Sequence, residues 1–186
     1  MNWIDKISIR TSQCLAWLLL LCAFISASNA IIRKIFNESS NAWLELQWYL
    51  YASVFLLGAG YVLLQNEHVR IDIFYGKFSE KTKAKINALC YFTCILPLCL
   101  FIIYLGFGYF AKSVIGEQAF NNSNFFEATQ LVFLSFFDST HWEKSSNAGG
   151  LYTWFAKILI PAGFILLALQ TVSEGVKYYA KLKHKG

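Results

Sequence analysis

Apolar residues gather in four long runs that are almost free of charge, at about residues 14–32, 46–64, 88–110 and 153–173. Each is close to the ~20 helical residues that cross ~30 Å of hydrocarbon. No strict alternation marks barrel strands, and backbone groups in lipid must bond within their own segment. The runs therefore predict four membrane-spanning helices. A fifth run, Phe125 to Phe137, is too short to cross and holds Glu127. It predicts a short helix, interfacial or re-entrant, in the connection between the third and fourth spans.

The second span has the sharpest boundary. Trp48 to Leu64 carry no charge, and Glu67, His68, Arg70 and Asp72 follow directly, within six positions of one another. Such a cluster marks where the chain leaves the bilayer for water or a partner, and it makes this helix the expected centre about which the other spans pack. Ser53 and Gly60 lie seven apart, as do Ala52 and Ala59. Small residues so spaced let another helix backbone come close, from this chain or from a partner.

The polar stretches punctuate the runs. Asn37, Ser39, Ser40 and Asn41 predict a capped turn before the second span, and Ser79 followed by Glu80 reads as the start of the third helix. Pro97 and Pro161 each remove a backbone hydrogen bond, so a kink is expected in the third span and a bend at the entrance of the fourth. Asp138 to Gly150 reads as an ordered, turn-rich loop. Trp43, Trp48, Tyr49 and Tyr51 suit the aromatic belt at the membrane surface.

Composition changes the picture in one respect. The 186 residues are 56% hydrophobic and 15% charged, against the roughly 25% charge of soluble domains. The expectation is an all-α membrane protein, one four-helix domain over residues 1–186 with no room for a soluble one. The net charge of +5 is an orientation signal rather than a nucleic-acid footprint. With the N-terminus inside and four crossings, Lys6, Arg10, Arg70, Lys77, Lys81, Lys83, Lys85, Lys177, Lys181, Lys183 and Lys185 are cytoplasmic. Arg33, Lys34, Lys112, Lys144 and Lys157 lie outside or at that interface. This bias predicts both termini in the cytoplasm and the short helix in a periplasmic loop. The N-terminus also resembles a signal peptide, with Lys6 and Arg10 ahead of Leu15 to Ile25 and Ser28-Asn29-Ala30 as a cleavage site. Because apolar character runs on through Ile31 and Ile32, a retained first helix is expected.

Candidate chemistry is sparse. Cys14, Cys22, Cys90, Cys94 and Cys99 fall in the first and third spans, away from the oxidising side where a thiol oxidase needs them. His68, His141 and His184 lie on loops and the tail, without ligand spacing. Glu45 and Glu174 are the carboxylates that approach the hydrocarbon, and each sits at a helix end rather than at the midplane where a carrier places its coupling site. No phosphate loop and no nucleophile beside a base is seen, so no catalytic, cofactor or metal site is expected. The cluster from Glu67 to Asp72 remains, a solvated turn or an interface.

Two blocks carry a family resemblance. Trp48-Tyr49 with Phe55-Leu56-Leu57-Gly58-Ala59-Gly60-Tyr61, followed by Glu67-His68-Val69-Arg70-Ile71-Asp72, resembles the small, DctQ-type membrane subunit of tripartite ATP-independent periplasmic (TRAP) transporters. The second block is Ser146-Asn147-Ala148-Gly149-Gly150-Leu151, then Lys157, Ile160-Pro161, Gly163-Phe164, Leu166-Leu167, Leu169-Gln170 and Ser173-Glu174. It is similar to a longer variant of that family. The resemblance implies a non-catalytic scaffold in the bacterial inner membrane. It would hold a large multi-spanning subunit and help dock a periplasmic solute-binding protein that captures an organic acid. Sodium ions would bind in the large partner, with no cofactor in this chain. Glu45, Glu67, His68, Arg70 and Asp72 are the expected subunit-interface residues, and Trp142, Asn147, Gly149 and Gly150 the expected docking loop. A four-helix redox enzyme and an autonomous ion-coupled carrier are the competing readings.

Overall fold

The computed structural model describes residues 2–36, 40–65, 78–147 and 150–184. Its helices are α1 (Trp3–Phe36), α2 (Asn41–Leu64), α3 (Glu80–Cys90), α4 (Leu96–Ile115), α5 (Glu117–Asn121), α6 (Phe125–Ser135) and α7 (Trp154–His184). Four stretches are long and apolar enough to cross a membrane: Trp3–Phe36, Asn41–Leu64, Thr82–Ile115 and Trp154–Ala180. The third joins α3 to α4 through a π-turn, Tyr91–Ile95. The helices outrun the apolar stretches that predicted them, because backbone hydrogen bonding does not stop where hydrophobicity does.

Local chemistry accounts for the ends. The Ser79 hydroxyl accepts from the Thr82 amide at 3.3 Å and caps α3 as expected. Ser40 precedes α2 in extended backbone without a side-chain cap bond, and Asn37 and Ser39 lie outside the described residues. Glu127 reaches back from the first turn of α6 to accept from the Asn124 amide at 3.0 Å. Just ahead of Pro97 the helix carries a π-turn. The Leu96 amide bonds to the Tyr91 carbonyl five residues back, so the π-turn takes up the disturbance one turn ahead of the proline.

The long helices form an open row. α2 packs on α1 on one side and on α7 on the other, and α3 and α4 pack on α7. The expectation that everything gathers about the second span is thereby corrected: α2 and α7 share the centre, and α4 leans on α7. Small residues on α7 decide this. A Cβ on Gly163 would lie 2.7 Å from the Leu56 carbonyl oxygen, and one on Gly175 would lie 2.8 Å from the Phe92 ring. Both neighbours therefore approach α7 at near-backbone distance. Ser53 and Gly60 are buried, with Gly60 against the Leu166 carbonyl, so this small-residue stripe serves packing within the chain.

Beyond α4 the chain doubles back. Gly116 turns it with φ of 85°, and the Phe120 ring lies against Gly108. Phe125, at the start of α6, packs its ring 5.7 Å from Tyr104 and 5.2 Å from Phe107. Phe136, just past the end of α6, meets Trp142 and Trp154. Tyr104 lies about 16 Å along the helix from Ile115, at the helical rise per residue. α5 and α6 are thus a hairpin folded alongside the last turns of α4. Ala128 and Val132 close a buried cluster with Phe110, Ala111 and Val114.

Candidate functional site

Two polar clasps tie the row together, one at each end. At the loop end, Glu45 lies in the first turns of α2 and is buried. Its carboxylate accepts from the Ser145 hydroxyl, from the Asn147 side-chain amide at 2.8 Å and from the Leu151 backbone amide at 2.7 Å. The loop is shaped to offer them. Ser145 N–H donates to the Leu151 carbonyl, Thr153 N–H to that of Glu143, and Lys144 and Tyr152 form an antiparallel bridge. Gly150 sits so close that a Cβ there would meet Glu45 Oε1 at 3.0 Å and the Ser145 Cβ at 2.6 Å. Three donors on one carboxylate make strong, charge-assisted bonds that hold the loop in one shape.

Beneath the loop, the Lys157 ammonium pairs with the Glu143 carboxylate and lies 4.2 Å from the centre of the Tyr109 ring. Trp142 packs 5.2 Å from Trp154 and 5.4 Å from Tyr152, ring centre to ring centre. At the start of that loop, hydrogen bonding from Thr140, side chain and then backbone, holds the Asp138 carboxyl below its usual range.

At the termini end, Lys177 places its ammonium 2.7 and 2.8 Å from the two Asp5 oxygens and 2.6 Å from Glu174 Oε1. Gln170 donates to Asp5 at 3.2 Å and accepts from the Ser8 hydroxyl at 2.8 Å. Asp5, Ser8, Gln170, Ser173 and Glu174 are all buried. This clasp joins α1 to α7 and puts the two termini at the same end of the row. From Lys157 to Glu174 is about 26 Å along α7, close to the ~30 Å thickness of the hydrocarbon.

Each carboxylate in the clasps is engaged by donors of the chain itself, an arrangement suited to fixing geometry. All five cysteines are free, and among the described residues no three His, Cys, Asp or Glu side chains gather as a metal site. Of the residues singled out in the sequence, Glu45, Asn147 and Gly150 are brought together, and Trp142 supports the loop from its aromatic cluster. Glu67, His68, Arg70, Asp72 and Gly149 lie outside the described residues. The clasp of Asp5, Ser8, Gln170 and Lys177 was missed. Its signal was present in the spacing of Gln170, Glu174 and Lys177, which puts three polar side chains on one face of a helix.

Residues 21–178 match the family described as "Tripartite ATP-independent periplasmic transporters, DctQ component". The chain belongs to the DctQ family. No curated protein and no solved structure matches it. As a DctQ component it is the small permease subunit of a TRAP transporter, and its four apolar helices are those of a multi-pass membrane protein. The DctQ match includes the loop-end clasp whole and the α7 half of the other, while Asp5 and Ser8 precede it.

Proposed function

We propose that this DctQ-type chain is a non-catalytic scaffold in the bacterial inner membrane. It holds the large multi-spanning TRAP subunit in the bilayer and helps dock the periplasmic solute-binding protein, in a secondary transporter that imports an organic acid. The substrate and the sodium ions belong to those partners. Both termini are cytoplasmic, in keeping with the excess of lysine at that end, and the loop held by Glu45 faces the periplasm. Retention of the first helix fits Asp5 and Ser8 being buried against α7, because cleavage would leave Lys177 and Gln170 without these partners.

The observation that carries the scaffold reading is the open row. A closed four-helix bundle hides its seams, whereas here α1 and α2 expose Trp17 (75%), Phe24 (71%) and Phe55 (80%). They make a broad charge-free face, apolar like the lipid around it, on which the large membrane subunit would pack by shape. Glu67, His68, Arg70 and Asp72 would continue that interface at the cytoplasmic end. Glu45 would act through the loop it holds, with Asn147, Gly149 and Gly150 at the docking tip and Trp142 beneath it.

The test is co-purification of the tagged chain from native membranes in mild detergent. Recovery of a much larger multi-spanning protein in equal amount is expected. A stable assembly of this chain alone overturns the reading.

A further inference from the structure

Between the α5–α6 hairpin and α4 lies an open groove of about 550 Å³. Tyr104, Leu105, Tyr109 and Lys112 line it from one face of α4, at helical spacing, and Phe120 and Asn121 line it from the hairpin. Lys112 stands at the outer end, 37% exposed, 3.6 Å from Glu117 and 5.4 Å from the centre of the Phe120 ring. The side chains of Asn121, Tyr104 and Tyr109 are exposed beside the groove. Below them α4 turns wholly apolar, with Phe101, Leu98 and Leu100 exposed.

The depth of the hairpin poses a physical problem. Lys157 reaches its charge to the level of Tyr109, and Phe125 packs one to two turns deeper, on Tyr104 and Phe107. With the Lys157 charge taken as the level of the hydrocarbon boundary, the polar turn 121–124 falls at or just inside it. The backbone amides of 122–124 are bonded within the turn, to Gln118, Phe120 and Glu127, but the exposed side chains of Asn121 and Asn122 at that depth need a polar cover, since hydrocarbon supplies no partner. A flexible side-chain cation stands at the outer end, Tyr109 lies about one helical turn deeper and Tyr104 about two turns, and an apolar ridge continues below. A diacyl phospholipid has the same graded sequence: phosphate, ester carbonyls, acyl chains.

We propose that this groove is a binding site for a phospholipid of the leaflet at the loop end. The lipid phosphate pairs with Lys112, its glycerol esters accept from Asn121 and the tyrosines, and one acyl chain runs down α4 along Leu105 and Phe101. The site rests only on the chain being membrane-embedded, so it stands or falls separately from the scaffold reading.

Native mass spectrometry of the full chain, with any companions that co-purify, tests it. The probes are dioleoyl phosphatidylglycerol and dioleoyl diacylglycerol, which share their chains and differ in the phosphate. Phosphatidylglycerol is expected to stay bound at least about tenfold more tightly than diacylglycerol, as one charge-assisted phosphate contact implies. Lys112→Gln should remove most of that preference and Asn121→Ala part of it. Lys34→Gln, at the exposed end of α1, should leave it unchanged. Each variant is first matched to the parent in thermal unfolding. Equal retention of the two lipids, or an unchanged preference in Lys112→Gln, overturns the proposal. So does displacement by millimolar inorganic phosphate, which marks an ion site without a lipid, or a photocrosslink from position 122 that captures a protein and no lipid.

Discussion

Lys177 holds both carboxylate oxygens of Asp5, at 2.7 and 2.8 Å, across 172 positions of sequence. A residue near the start of the first helix and one near the end of the last are thereby joined into one buried polar unit. That unit fixes the edge helix α1 to the centre of the row at a place where apolar packing alone would let it slide.

Asp5→Asn should destabilise the chain by about 1–3 kcal/mol, because the Lys177 ammonium loses one of its two counter-charges and Glu174 alone remains beside it. Thermal unfolding in detergent reads this directly. Lys177→Met alone should cost a similar amount. Combined with Asp5→Asn it should cost less than the sum of the two, by more than ~0.5 kcal/mol, as expected for partners in one network. Strict additivity would show that the two do not act as a pair.

Glu45→Gln keeps the size of the side chain but leaves one neutral oxygen and puts an NH2 where the other stood, so either the Leu151 amide or the Ser145 and Asn147 donors meet a donor. Loss of the charge-assisted character of these bonds should loosen the loop from Lys144 to Tyr152 through local opening. Hydrogen exchange at the Leu151 amide should rise about tenfold while α7 stays protected. Glu45→Gln with exchange at the parent rate would show that the loop holds itself.

Gly163→Ala tests the helix seam. A methyl group there meets the Leu56 carbonyl at 2.7 Å, so α2 and α7 must separate. Overpacking of this kind costs about 1–3 kcal/mol. Disulfide trapping between cysteines placed along α2 and α7 should slow relative to the parent. Gly58→Ala, whose methyl meets only Leu15 at an ordinary 3.7 Å, is the matched control and should be nearly neutral.

Asp138 supplies the pH test. Its carboxyl titrates below the ordinary 3.8 because Thr140 hydrogen-bonds the charged form. The sign follows: its contribution to the turn is fully present above the unfolded value and is lost as pH falls through the lowered folded value. Protection of the Thr140 amide should be constant from neutral pH down to about 4 and then fall. Asp138→Asn should remove that acid limb, leaving a flat profile.

The four helices and the family were legible in the sequence, because a bilayer imposes length and apolarity on each crossing separately. Ser79 as a cap and the short helix after Phe125 were local signals of the same kind. The order of helices across the row was not legible. Trp48 to Leu64 is the cleanest span, yet α7 shares the centre, because Gly163 and Gly175 admit close neighbours on two sides and no periodicity ranks one small-residue stripe above another. The clasps were equally hidden. Glu45 was visible as a carboxylate near the membrane, but that its partners are Ser145, Asn147 and the Leu151 amide depends on a loop about a hundred residues away. Asp5 carried no signal in the sequence; the fold brings Lys177 beside it. Crossing a membrane is a property of one segment; satisfying a buried charge takes two, and only the tertiary structure brings the second one near.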